Sequence, residues 1–179
     1  MNGRLIVIEG LDGSGKATQA ARLTDALNAQ GKDVKQISFP DYASDSSALI
    51  KMYLGGKFGS HPDDVNAYAA STFYSVDRYA SYKTNWGDFY RRGGIVVSDR
   101  YTTSNAVHQC SKLPKEQWPA FLDWLFDFEY NKIGIPVPDR VVYRGGPRRQ
   151  PGADDRPIQG RREQKRYSRK GPCLSGPQP

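Results

Sequence analysis

The stretch Arg4–Thr18, RLIVIEGLDGSGKAT, decides the fold. Arg4 to Glu9 is a short β-branched apolar run of the kind that buried parallel strands use, and a glycine-rich segment follows it without a spacer. Gly10, Gly13 and Gly15 permit backbone turns that aim successive N–H groups inward, and Lys16 adds a mobile cation at the start of a helix whose own amides favour anions. Strand, cradling loop and helix is the reading, with Gly10, Leu11, Asp12, Gly13, Ser14, Gly15, Lys16, Ala17 and Thr18 gripping the β and γ phosphates of a nucleotide. The bland alternative is an accidental glycine-rich turn, against which stand the spacing, the strand before it and the helix after it. Ala17 occupies the place where a hydroxyl is expected after the lysine, so Mg²⁺ cannot be ligated there directly, and Thr18 comes next.

Outward from the loop, apolar or small residues at Ala20, Leu23 and Leu27 predict a helix over 16–30 that Gly31 ends. Val34 to Phe39 reads as a second strand stopped by Pro40, and 63–92 as one long helical stretch closed by Gly93 and Gly94. Ile95 to Ser98 is a third strand running directly into Asp99, Arg100 and Tyr101. A helix over 113–130 carries an apolar face of Trp118, Leu122, Leu125 and Phe126, and Arg140 to Tyr143 is a fourth strand. Strands alternating with helices predict an α/β fold, a parallel sheet flanked by helices on both faces, whose ligands bind beyond the carboxyl ends of the strands.

The chain of 179 residues suits one domain. Its formal charge of +7 does not belong to that domain: through position 143 there are sixteen basic and sixteen acidic residues, and the excess comes from ten against three beyond it. A basic segment confined to a tail with 6 Pro and 6 Gly in its last 36 residues does not argue for a nucleic-acid partner. Cys110 and Cys173 are too far apart in sequence to suggest a disulfide framework or a metal site. No apolar run approaches the roughly 20 residues a bilayer span needs, so a soluble cytoplasmic protein is expected.

Three further segments come after the cradle in order: FPDY (Phe39–Tyr42), STFYSVDRY (Ser71–Tyr79) and DRYTTSNA (Asp99–Ala106). Together they resemble the thymidylate kinase family of nucleoside monophosphate kinases, over roughly residues 4 to 143. The resemblance implies a P-loop NTPase fold that moves the γ-phosphoryl group of ATP, with Mg²⁺, onto dTMP. It implies Lys16, Asp12, Arg100 and Asp99 as the catalytic residues, with Asp12 and Asp99 also toward the metal. For dTMP it implies Phe39, Tyr42, Phe73, Arg78, Arg100 and Asn105, Phe73 being the aromatic that stacks on the base and Arg78 reaching the base edge or the acceptor phosphate. His108 falls near this set with at most a sugar-side role. Asn131 and Lys132 are no guanine-reading motif, because Gly134 stands where that motif needs an aspartate. A homodimer is left open.

After Tyr143 the family pattern calls for a helix, an arginine-bearing lid, a fifth strand and a last helix, and none of these is readable. The expected division is a kinase domain over 1–143, incomplete, and an atypical basic, disordered tail over 144–179. A reading-frame shift near Arg144 is the hypothesis, since one permitted set of codons for Gly146 to Ser175, read one base later, spells a sequence resembling the missing helix and lid. Loss of the lid would impair activity. The rival readings are a kinase for another nucleoside monophosphate, a catalytically inactive nucleotide-binding relic, and a nucleic-acid-binding module driven by the tail.

Overall fold

The four expected strands form one parallel sheet in the computed structural model, which describes residues 3–145. They are β1 (Arg4–Gly10), β2 (Val34–Ser38), β3 (Ile95–Asp99) and β4 (Arg140–Arg144), in the order β2-β3-β1-β4. The first strand therefore lies inside the sheet, where its run of Leu5 to Ile8 is covered from both sides. Alternation sorts the side chains. Leu5, Val7 and Val96 join Phe39, Trp86, Tyr90, Tyr101 and Ile135 on one face. Ile8 and Val97 meet Ala20 of α1 (Lys16–Ala29) on the other, with Ile6, Leu23, Leu27 and Val34 packed around them.

The helical stretch expected over 63–92 is not one helix. Asn66 caps α3 (Ala67–Ser81) by accepting a hydrogen bond from the Ala69 amide at 2.8 Å, so the helix starts there, and Pro62–Asp64 is a separate 3₁₀ turn. A π-helical turn, Tyr82–Trp86, then shifts the phase before the short α4 (Gly87–Arg91). Two helices escape periodicity altogether. α2 (Ala48–Leu54) is short and buries only Ile50, and α5 (Thr102–Cys110) is separated from β3 by just Arg100 and Tyr101. The helix expected over 113–130 resolves into a 3₁₀ turn at Lys115–Gln117, α6 (Trp118–Phe126) and a second π-helical turn, Asp127–Lys132. Phe121 and Leu125 of α6 pack with Ala67 of α3 and with Ala106 and Cys110 of α5, a helical layer beside the sheet.

β4 has one neighbour among the described residues, β1, and exposes Val141, Val142 and Tyr143. Of the tail expected over 144–179, Arg144 closes β4 and Gly145 follows it; residues 146–179, on which the rest of that expectation and the frame-shift hypothesis fall, lie outside those described.

Candidate active site at the carboxyl ends of the first and third strands

The chain leaves β1 for β2 across β3, then returns, so β1 and β3 end side by side where loops diverge to opposite parts of the sheet. One end carries the glycine loop and the other carries Asp99–Arg100–Tyr101. Gly10, Gly13 and Gly15 hold φ of +148°, +75° and +83°, conformations that favour glycine. At Gly10 the space is also closed, since a Cβ would stand 2.4 Å from the Arg144 carbonyl oxygen. Lys16 opens α1, is buried, and curls its ammonium back over the loop to donate to the Leu11 carbonyl at 2.7 Å, 3.6 Å from Asp12. Ser14 Oγ is buried without a hydrogen-bond partner among the described residues. Ala17 and Thr18 sit in the exposed first turn of α1.

Arg100 is the one non-glycine among the described residues with positive φ, +68°. A side-chain-bearing residue adopts that conformation at a cost of about 1–3 kcal/mol unless its surroundings hold it. Its amide donates to the Ile8 carbonyl at 3.1 Å, and its carbonyl accepts from Ser98 Oγ at 2.5 Å. The conformation swings the guanidinium off the line of β3 and across to β1, where it pairs with Asp12 of the glycine loop and donates to Ser104 Oγ at 3.0 Å. Asp99 has one buried carboxylate oxygen with no partner among the described residues. Burial pushes its pKa above the ordinary value, against the opposing charges of Lys16 and Arg100.

Beyond Arg100 opens a cavity of about 600 Å³. Asp12, Phe39, Tyr42, Arg78, Asp99, Arg100 and Asn105 all line it, as does His108. Phe73 does not. It turns away to pack against Phe58 and Tyr53, with ring centroids 5.5 and 6.2 Å apart, and its place is taken by Tyr74. The helix geometry explains the exchange, because Tyr74 lies four residues before Arg78 and shares its face of α3, whereas Phe73 is rotated by a further turn of about 100°. Burial raises the Tyr74 hydroxyl to about 12, so it is a neutral ring in the wall.

Arg78 is in the cavity wall but its charge is already matched. Nε donates to Glu129 Oε2 at 2.8 Å and Nη2 pairs with Oε1. Glu129, brought in by the π-helical turn Asp127–Lys132, also accepts from Ser75 and Thr102 at 2.8 Å each. Burial opposes the Arg78 charge, yet the adjoining carboxylate outweighs it and the pKa is raised. A second buried acid, Asp77, fastens the FPDY turn to α3 by accepting from the Asp41 amide at 2.9 Å and from Ser46 Oγ at 2.5 Å. Sequence reading missed Glu9, Asp77, Glu129, Gln109 and Lys112, of which the last two line the cavity. Glu9 interrupts an apolar run, which is visible in the sequence, whereas Asp77 adjoins Arg78 and Glu129 lies in DFEYNK, where nothing in the sequence marks them as buried.

The glycine loop with Lys16 and a cavity lined by aromatic residues and arginines thus face each other across Arg100 and Asp12. The family model described as thymidylate kinase matches residues 8–124. The thymidylate kinase of Mycobacterium tuberculosis (strain H37Rv) is 34% identical over 139 residues, covering 77% of this chain and 64% of that one. Those of Caenorhabditis elegans and Homo sapiens are 32% and 30% identical, over 62% and 60% of their lengths. The solved thymidylate kinase of Candida albicans superposes with a TM-score of 0.58 at 29% identity, covering 80% of this chain and 63% of that one. The chain spans less than two thirds of the length of these relatives. The glycine loop, Asp99 and Arg100 at the end of β3 and the α3 face that carries Arg78 all fall within the matched residues, and the chain belongs to the thymidylate kinase family.

Proposed function

We propose that this chain transfers the γ-phosphoryl group of ATP to the 5′-phosphate of dTMP, giving dTDP and ADP. The observation that carries the reading is the Arg100–Asp12 pair, which joins the cradle to the cavity at the point where two phosphates would have to meet. In the transfer, an oxygen of the dTMP phosphate forms a bond to the γ phosphorus while the bond from that phosphorus to the β–γ bridging oxygen breaks. The transition state is loose and charge-rich, so the protein's task is positioning and cation supply.

Lys16 and the loop amides hold the β and γ phosphates. Arg100 leaves Asp12 for the acceptor phosphate or the group in flight, and Tyr42, exposed at the mouth of the cavity, adds a hydroxyl from the other side. Tyr74 and Phe39 line the slot for the base, and Arg78, matched in charge by Glu129, offers it a donor rather than a net charge. Asn105 Oδ1 and Gln109 Oε1 are buried without partners among the described residues, and both residues line the cavity, as acceptors for a base N–H. Asp99 and Asp12 suit Mg²⁺, because Asp99 carries a buried oxygen that nothing among the described residues satisfies. When bound, the cation screens the phosphate charge.

An ADP-coupled assay with dTMP tests the proposal. Steady ADP formation with dTMP, lost in Lys16→Ala, is expected. Preference for AMP, dCMP or GMP in the same assay would replace dTMP as the acceptor.

A further inference from the structure

We propose that Glu9 is a positioning residue that aims Arg100 through the hydroxyl of Ser104; this deepens the reading of the cavity as a nucleoside monophosphate site and rests on it. Glu9 is the penultimate residue of β1, is buried, and makes no ion pair among the described residues. Its Oε1 accepts from the Tyr101 amide at 3.0 Å, the Ser104 amide at 2.9 Å and Thr103 Oγ1 at 2.7 Å. Its Oε2 accepts from Ser104 Oγ at 2.6 Å. The first three donors lie at Tyr101, which immediately precedes α5, and in the helix's first turn, so one function of the carboxylate is to cap that helix.

The fourth bond does something a cap does not require. A carboxylate can only accept, so the single proton of the Ser104 hydroxyl is committed to Glu9 and its lone pairs are left for Arg100 Nη1, 3.0 Å away. The direction of every bond in the chain Arg100 to Ser104 to Glu9 is thereby set. The other anchor of the guanidinium is Asp12, whose side chain is 89% exposed and negatively charged, so an arriving phosphate competes with it directly. Ser104 holds the guanidinium without cancelling its charge. Arg78 shows the contrast: its carboxylate touches it and consumes the charge, whereas Glu9 stands one hydroxyl removed from Arg100 and leaves that charge for an anion.

Glu9→Gln keeps the shape and lets Oε1 go on accepting from the helix start. Its amide nitrogen then donates to Ser104 Oγ, so the hydroxyl proton loses its acceptor and no longer fixes which lone pair faces Arg100 Nη1. Ser104→Ala removes the middle of the chain and leaves the two backbone bonds of Glu9 intact.

The test is calorimetric titration of the full chain, its two single variants and the double variant, with dTMP and separately with thymidine, which lacks the phosphate. Loss of one hydrogen bond to a charged group predicts that each single variant weakens dTMP about tenfold. Thymidine affinity stays within about twofold, and the double variant is no weaker for dTMP than the worse single one, as for residues acting in one network. Equal weakening of both ligands, unchanged dTMP affinity, or additive losses would each overturn the relay. Should Glu9→Gln fail to fold, Ser104→Ala decides alone by the same phosphate-selective loss. A wild-type chain that binds neither ligand overturns the monophosphate reading itself, and is told apart because it appears before any substitution.

Discussion

Glu129→Gln removes one negative charge from the interior while keeping the side chain's shape and one acceptor oxygen. The charge it abandons is that of Arg78, whose side chain is 3% exposed against 0% for Glu129, so water cannot take the carboxylate's place. Breaking a buried ion pair from one side costs about 3–5 kcal/mol. Ser75 and Thr102 lose a charged acceptor in the same step. At about 2–4 °C per kcal/mol for a chain of this size, the melting temperature should fall by roughly 6–20 °C. Thermal unfolding followed by circular dichroism reads this directly. The paired replacement Arg78→Met with Glu129→Leu removes both charges and should recover most of the loss, since an apolar pair of similar volume is often no less stable than a buried ion pair. A Glu129→Gln melting point within about 2 °C of the parent refutes the claim that the pair is sealed from water, because only an accessible guanidinium could be rescued so fully.

Tyr74→Ala should weaken dTMP about tenfold, the scale of one lost aromatic contact and its burial, whereas Phe73→Ala leaves dTMP affinity within about twofold. Calorimetry giving the reverse order would restore Phe73 as the stacking residue. Burial raises the Asp99 carboxyl, so its contribution is favourable while it is protonated and is lost as pH climbs from the ordinary carboxylate value of 3.8 through the raised one. Asp99→Asn should therefore melt higher than the parent at about pH 7, with the gap closing toward about pH 4, while ADP formation falls. A variant less stable than the parent at neutral pH contradicts the sign. Gly10→Ala forces a Cβ to 2.4 Å from the Arg144 carbonyl oxygen and 2.9 Å from Ser14 Oγ at φ +148°. Strain of about 1–3 kcal/mol and a distorted cradle result, read as a drop in both melting temperature and ATP affinity.

The strands and the cradle were legible because each is a local property of the chain. A β-branched run, three glycines at fixed spacing and a lysine are all visible without knowing what lies across the molecule. Helix boundaries were less so, and the reason differs case by case. Asn66 starts α3 by side-chain capping, against a run of acids at 63 and 64 that equally advertises a helix start. α5 begins where it does because Glu9, some ninety residues earlier in the chain, accepts from its first turn. Phe73 and Tyr74 are adjacent aromatics, and only the helical phase relative to Arg78 separates the one in the cavity from the one turned away from it. Each of the two π-helical turns shifts the phase of the residues after it, which no repeat of apolar residues announces.

Two arginines in one cavity invite the assumption that both meet phosphate, and the buried acids argue otherwise. Glu129 lies against Arg78 and forms a pair whose net charge is zero, so its remaining N–H can discriminate among neutral acceptors but contributes little field toward an anion. Arg100 is matched only by an exposed aspartate on the opposite loop among the described residues, a partner that a phosphate can displace. The strained φ of +68° belongs to the same logic, because an arginine continuing β3 in extended geometry would run along the strand instead of crossing to the cradle. The bond from the Arg100 amide to the Ile8 carbonyl and the bond from Ser98 Oγ to the Arg100 carbonyl hold that conformation from two strands at once, so Arg100 is fixed by the sheet while Arg78 is fixed by the helical layer. The cavity's two ends are thus anchored to separate parts of the core, and a change that loosens one need not loosen the other.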